Sequence, residues 1–173
     1  MKPLFQKEVK SLIDGELIDK VSDLLKKQNL TVATAESCTG GLIAHTLTNI
    51  SGSSDYFDRG IVSYSNKAKM NLLNVPENLL KKYGAVSEQV AKAMAEGVQK
   101  ISNVDIGIST TGIAGPTGGT KEKPVGLVYI AISTLEDTVV KKFHFSGERL
   151  QNKESTCKAA LDLLLERLNK KNI

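Results

Sequence analysis

Apolar residues recur at helical spacing at Phe5, Val9, Leu12 and Ile13, and again at Leu17, Ile18, Val21, Leu24 and Leu25, with Asp14-Gly15 as punctuation between the runs. Two helices are therefore predicted ahead of the first strand. That strand is expected at 31–35, and Ala35-Glu36-Ser37-Cys38-Thr39-Gly40-Gly41 joins it to a helical pattern carrying Leu42, Ile43, Leu47 and Ile50. Residues 51–55 read as a turn and 57–65 as a second strand, after which Asn66 can cap a short helix bearing Lys67, Lys69, Leu72 and Leu73. Pro76 opens another short helix that Gly84 ends, and Ser87-Glu88 opens a longer one packed through Val90, Ala93, Met94, Val98 and Ile101. Gly97 within it is expected to cost about 1 kcal/mol relative to alanine if exposed. A strand at 104–111 then enters a long loop rich in glycine and proline, 112–124. Strands at 126–133 and 138–145 form an antiparallel hairpin, and a last amphipathic helix spans about 148–169.

Strands interleaved with helices predict a single-domain, three-layer α/β/α fold whose sheet is mixed and mostly parallel, with a C-terminal antiparallel hairpin. Ligands in open α/β sheets gather beyond the carboxyl ends of strands. The segments 36–41, 64–69 and 110–120 sit at three such ends. If the first three strands are parallel, these segments converge on one rim.

A chain of 173 residues is long enough for one well-packed core. Residues 1–15 are read as a helical extension to a domain covering 16–173. With 40% hydrophobic and 24% charged residues the composition excludes a disordered chain. The net charge of +4 comes with lysines scattered as Lys26-Lys27, Lys81-Lys82 and Lys170-Lys171, which suit solvated helix faces; without a groove-reading motif, nucleic acid is not an expected partner. Two cysteines, Cys38 and Cys157, do not make a disulfide framework. The first residues lack the apolar run of a signal peptide and no stretch reaches membrane-spanning length, so a cytoplasmic protein without membrane contact is expected. The apolar first helix, with nothing obvious to cover it, suggests a homodimer.

Candidate chemistry begins at the junction after the first strand. The first N–H groups of a helix lack intrahelical partners and its dipole makes that end partly positive, which favours an anion or a developing oxyanion. Ser37 and Thr39 are placed there as a nucleophile or as plain helix caps. A nucleophilic serine needs a base, and neither His45, two turns into the helix, nor His144, in the hairpin, lies at a strand end. The second segment offers Tyr64, Asn66, Lys67 and Lys69 instead. A lysine serves as base only if burial or a cationic neighbour lowers its proton affinity. Lys67 and Lys69 point to nearly opposite sides of a helix, so one alone can face the site. Cys38 is the rival nucleophile or a small buried filler. The third segment supplies glycine-flanked N–H groups suited to a phosphate or a carboxamide, yet matches neither a Walker loop nor a dinucleotide fingerprint.

Assembled in order, Thr34-Ala35-Glu36-Ser37-Cys38-Thr39-Gly40-Gly41, Gly60-Ile61-Val62-Ser63-Tyr64-Ser65-Asn66 with Lys69 following, and Thr111-Gly112-Ile113-Ala114-Gly115-Pro116 through Lys123-Pro124-Val125-Gly126 resemble the CinA C-terminal domain family. These are the nicotinamide-nucleotide amidohydrolases, also called nicotinamide mononucleotide deamidases. The resemblance covers residues 16–168. It implies deamidation of nicotinamide mononucleotide to the nicotinate nucleotide and ammonia, in pyridine-nucleotide salvage. It implies Ser37 as nucleophile, Lys69 as base and Tyr64 as its partner, with the oxyanion held near Thr39, Gly40 and Gly41. Asn66 and the third loop, Thr111, Gly112, Gly115, Gly118 and Gly119, would hold substrate. Arg149 is a further candidate, although the family often has several arginines where Asn152 and Lys153 follow here. No metal or other cofactor is required. The metal-dependent pyrophosphatase chemistry of the extra domain in longer relatives is not expected. Two alternatives are a catalytically silent nucleotide-binding or interaction module linked to competence or DNA damage, and an amidase using Cys38.

Overall fold

The computed structural model describes residues 15–170. The helix predicted at 4–13, and with it the surface proposed for self-association, lies outside them. Five strands form one sheet: β1 (Val32–Glu36), β2 (Phe57–Val62), β3 (Ile106–Gly112), β4 (Leu127–Ser133) and β5 (Thr138–His144), in the order β2-β1-β3-β4-β5. β1 pairs in parallel with both β2 and β3, while β4 runs antiparallel to β3 and to β5. Four strands thus point one way and β4 the other, which is the mixed, mostly parallel sheet with a terminal hairpin read from the sequence.

Alternation along the strands divides the core into two layers. Val32, Ile106, Ile108, Ile130 and Ile132 face α1 (Gly15–Gln28), α2 (Leu42–Thr48) and α6 (Arg149–Leu168), packing on Val21, Leu25, Ile43, Leu47, Leu161 and Leu164. Ala33 and Ala35 face the opposite layer, α3 (Asn66–Leu73), α4 (Glu77–Tyr83) and α5 (Glu88–Ser102), through Leu73, Leu80, Val90, Met94 and Val98. Small side chains on this second face let α5 lie close to the sheet: a Cβ on Gly107 would stand 2.2 Å from the Ala95 carbonyl oxygen. Gly97 serves the same purpose between helices, because its Cβ would meet the Leu73 carbonyl oxygen at 2.1 Å. Its place is therefore set by close approach rather than by helix weakness.

Two caps differ from expectation. Ser65, not Asn66, caps α3, its hydroxyl accepting from the Ala68 N–H at 3.0 Å. α2 begins at Leu42, and neither Ser37 nor Thr39 caps it; Gly41 at φ 96 is its N-cap. Gly40 at φ 63 precedes it, so the glycine pair carries two consecutive left-handed residues through a bend that L side chains resist.

Candidate active site

Because β1, β2 and β3 are parallel, the segments after all three strands end on the same rim of the sheet. Glu36 is the last residue of β1, the middle one of these three strands, paired on one side with Val62 and on the other with Thr110. Ser37 follows, its N–H donating to the Thr110 carbonyl at 3.0 Å. One step of strand alternation separates Glu36, directed at α2, from Ser37, directed at the layer that contains α3.

From the first turn of α3, Lys69 reaches back under the rim and is 1% exposed. Its Nζ lies 2.9 Å from Ser37 Oγ, 2.8 Å from the Ser63 carbonyl oxygen and 3.3 Å from the Tyr64 carbonyl oxygen. A neutral amine has two N–H donors and one lone pair. If the two donors go to the two carbonyls, the lone pair falls to the Ser37 hydroxyl, which then donates to it. Burial lowers the Lys69 pKa from 10.5 to about 8, since the ammonium loses hydration and finds no carboxylate among the described residues in exchange. Lys67, two residues earlier, is exposed. Of the two lysines, Lys69 is the one whose amine reaches Ser37 Oγ.

Cys38 is adjacent to Ser37 and reaches the same cavity, but it is 6% exposed and burial pushes its thiol up to about 12. It is a thiol, not a thiolate, near neutrality. His45 and His144 are exposed and bond Asn49 Nδ2 and the Val125 carbonyl respectively. Neither lines the cavity that holds Ser37.

That cavity, about 180 Å³, is walled by Ser37 and Lys69 on one side, Ala85 and Val86 on a second, and Thr111, Gly112 and Ala114 on a third. Tyr64 and Arg149 stand at its mouth. Thr111 is fixed there by donating to the Ala85 carbonyl at 2.8 Å. Tyr64 partners Lys69 through its carbonyl only. The phenol is directed outward, 60% exposed, and accepts from Arg149 Nη2 at 3.0 Å, so the expected phenol–amine contact is replaced by a phenol–guanidinium one. Arg149 Nη1 also donates to the Gly115 carbonyl at 2.8 Å. A second cavity, about 550 Å³, adjoins the first past Ala114 and Arg149 and is bounded by Pro116 and Val125.

Other expected contacts fall elsewhere. Asn66 faces a different depression, beside Met70, Glu77 and Lys81. Gly118 and Gly119 lie exposed in the outer part of the loop and line neither cavity. Thr39 is fully buried, its hydroxyl 2.8 Å from that of Thr110. The Gly41 N–H donates to Glu36 Oε2 at 2.9 Å and is not open to an oxyanion. Glu36 and Asn152 were not singled out by sequence reasoning. The position of an acid just ahead of a helix start is the signal that could have found Glu36. Asn152, 1% exposed, donates from Nδ2 to the Ala114 carbonyl and accepts the Gly147 N–H at Oδ1, both at 3.0 Å. Among the described residues no group of three or more histidine, cysteine or acidic side chains is placed to hold a metal ion, and no helix is long and apolar enough to cross a membrane.

Comparison with known proteins agrees with this architecture. A protein of Caldicellulosiruptor bescii named for competence-damage induction is 53% identical over 157 residues, covering 90% of this chain and 38% of its own length. A CinA-like protein of Syntrophus aciditrophicus is 49% identical over 160 residues, covering 92% and 38%. The chain therefore spans a little over a third of the curated relatives it matches. The crystal structure of the competence/damage inducible protein CihA from Agrobacterium tumefaciens superposes with a TM-score of 0.88 at 41% identity, over 92% of this chain and 99% of that one. A CinA superfamily protein from Escherichia coli gives 0.86 at 32% identity over 95% of each chain. The model of the CinA C-terminal domain matches residues 14–168, and this chain belongs to the CinA C-terminal domain family.

Proposed function

We propose that this chain is an amidohydrolase that converts nicotinamide mononucleotide to nicotinate mononucleotide and ammonia, with Ser37 as nucleophile and Lys69 as base. The observation that carries this reading is the buried Lys69 amine, lowered to about 8, at 2.9 Å from Ser37 Oγ. Neutral Lys69 takes the hydroxyl proton as Oγ attacks the carboxamide carbon. The tetrahedral oxyanion is assigned to the N–H groups of residues 38–40, since those of Ser37 and Gly41 are committed to Thr110 and Glu36. Lys69 then returns the proton to the departing nitrogen, and ammonia leaves an acyl-serine. Water, deprotonated by the same amine, cleaves that ester and restores Ser37. Arg149, whose guanidinium meets only a carbonyl and a phenol among the described residues, supplies a positive charge at the mouth for the nucleotide phosphate.

The test is ammonia release from nicotinamide mononucleotide by the purified chain and three variants. Ser37→Ala and Lys69→Ala are expected to lose at least about a hundredfold in kcat, the size of a missing nucleophile or general base. Cys38→Ala is expected to retain most activity. Loss confined to Cys38→Ala would select the thiol route, and saturable nucleotide binding without turnover would select a silent module.

A further inference from the structure

The buried carboxylate of Glu36 has no part in the scheme above, and its surroundings give it one. It is 1% exposed. Oε2 accepts the N–H groups of Gly41 at 2.9 Å and Ile43 at 3.1 Å; Oε1 accepts the Ala44 N–H at 2.8 Å and the Thr34 hydroxyl at 3.3 Å. The three backbone donors belong to the start of α2, where helix N–H groups otherwise lack partners. A charge that would be costly in the core is thus offset by three amides and the positive helix end.

The contacts close a loop. Its side chain binds the chain again at Gly41, so residues 37–40 form a short arch whose two feet are both fixed by Glu36. Ser37 is the first residue of that arch. The Glu36 main chain reaches the other partner as well: its carbonyl accepts the Ser63 N–H at 2.8 Å, and the Ser63 carbonyl is the acceptor for Lys69 Nζ at 2.8 Å. Nucleophile and amine are therefore referenced to the same residue, Ser37 through one peptide bond and Lys69 through one intervening residue.

We infer that Glu36 is a positioning residue: its carboxylate, by tying the start of α2 to the end of β1, holds the 37–40 arch so that Ser37 Oγ faces Lys69 Nζ. Glutamine is isosteric but places an NH2 against backbone N–H groups, leaving one carboxylate oxygen's donors facing a donor. With the NH2 at the Oε2 position the Gly41 and Ile43 N–H groups lose their acceptor, and with it at the Oε1 position the Ala44 N–H does; either way the hold on the start of α2 weakens while the strand and helix keep their packing. This inference rests on the deamidase reading, and its test separates the two.

Turnover and Ser37 labelling by a fluorophosphonate, which needs the serine and its base but no nucleotide, are compared in wild type and Glu36→Gln at a temperature where circular dichroism shows both folded. The expected result is a fall of at least tenfold in kcat with KM within twofold, and a parallel fall in labelling rate. A variant with a lowered melting temperature but unchanged kcat and labelling would show that Glu36 only caps a helix, and would overturn the inference. If wild type labels but does not deamidate the nucleotide, the deamidase reading fails and the labelling ratio still decides the role of Glu36. A wild-type chain that does neither overturns both. Should Glu36→Gln fail to fold, Thr34→Val carries the test, since it removes one contact to Oε1 from a buried strand position without changing side-chain volume much. A two- to fivefold fall in kcat at constant KM supports the positioning role there, and an unchanged kcat contradicts it.

Discussion

Lys69 is a buried lysine whose hold on its proton is well below that of an exposed one. An unfolded lysine keeps its proton to about pH 10.4, whereas burial brings the folded group down to about 8. Between those values the unfolded state binds more protons, so this residue makes stability rise with pH from about 8 to 10 and leaves it flat below. The stability of wild type relative to Lys69→Met should therefore increase across that window, by about 2 kcal/mol. Denaturant melts of the two proteins at pH 7.5 and 10 check this; a difference that does not change with pH would place Lys69 in solvent. The place of Ser37 was legible from the strand-to-helix junction, whereas the two-residue lysine spacing said only that one of Lys67 and Lys69 could face it, and Lys69 came from the family resemblance. Tyr64 was legible in place but not in orientation, since nothing local says that its phenol meets Arg149 from a helix begun 85 residues later.

Among the elements, α5 shows best how packing overrides propensity. Sequence alone suggests that Gly97→Ala would strengthen an exposed helix by about 1 kcal/mol. The Leu73 carbonyl at 2.1 Å from the added Cβ reverses the sign. Gly97→Ala is expected to destabilise by about 1–3 kcal/mol through overpacking, read as a lower urea midpoint with unchanged m-value. A higher midpoint would mean that α3 and α5 are not in contact there. Element types and order followed from apolar periodicity; the ends at 57, 133 and 138 fell where expected and the others moved by up to about six residues. The shift was largest at α2, where Gly40 and Gly41 insert a left-handed bend between Ser37 and the first helical residue. Caps were less legible. Ser65 and Asn66 are both good capping types, and only the backbone decides which one precedes the helix.

Across the molecule, the site is assembled from parts far apart in sequence, and one buried amide holds two of them together. Asn152 on α6 fixes the Ala114 carbonyl of the long loop and the Gly147 N–H ahead of its own helix. Asn152→Ala should cost about 1–3 kcal/mol by leaving those groups unpartnered, and should raise KM more than it lowers kcat because the cavity wall at Ala114 loosens. Urea melts and Michaelis analysis test both halves; a changed kcat at constant KM would assign Asn152 to the chemistry instead. Sheet order was not legible, because both helical crossovers are long enough to permit β2 and β3 on either side of β1. Nor was the reach of the glycine loop, whose composition is uniform while only Thr111, Gly112 and Ala114 line the cavity beside Ser37. The most direct test of the account is the pH dependence of kcat/KM for ammonia release from nicotinamide mononucleotide. A buried neutral lysine as base predicts activity rising tenfold per pH unit from about 6 and levelling above an apparent pKa near 8. A rate independent of pH between 6 and 9 would contradict it.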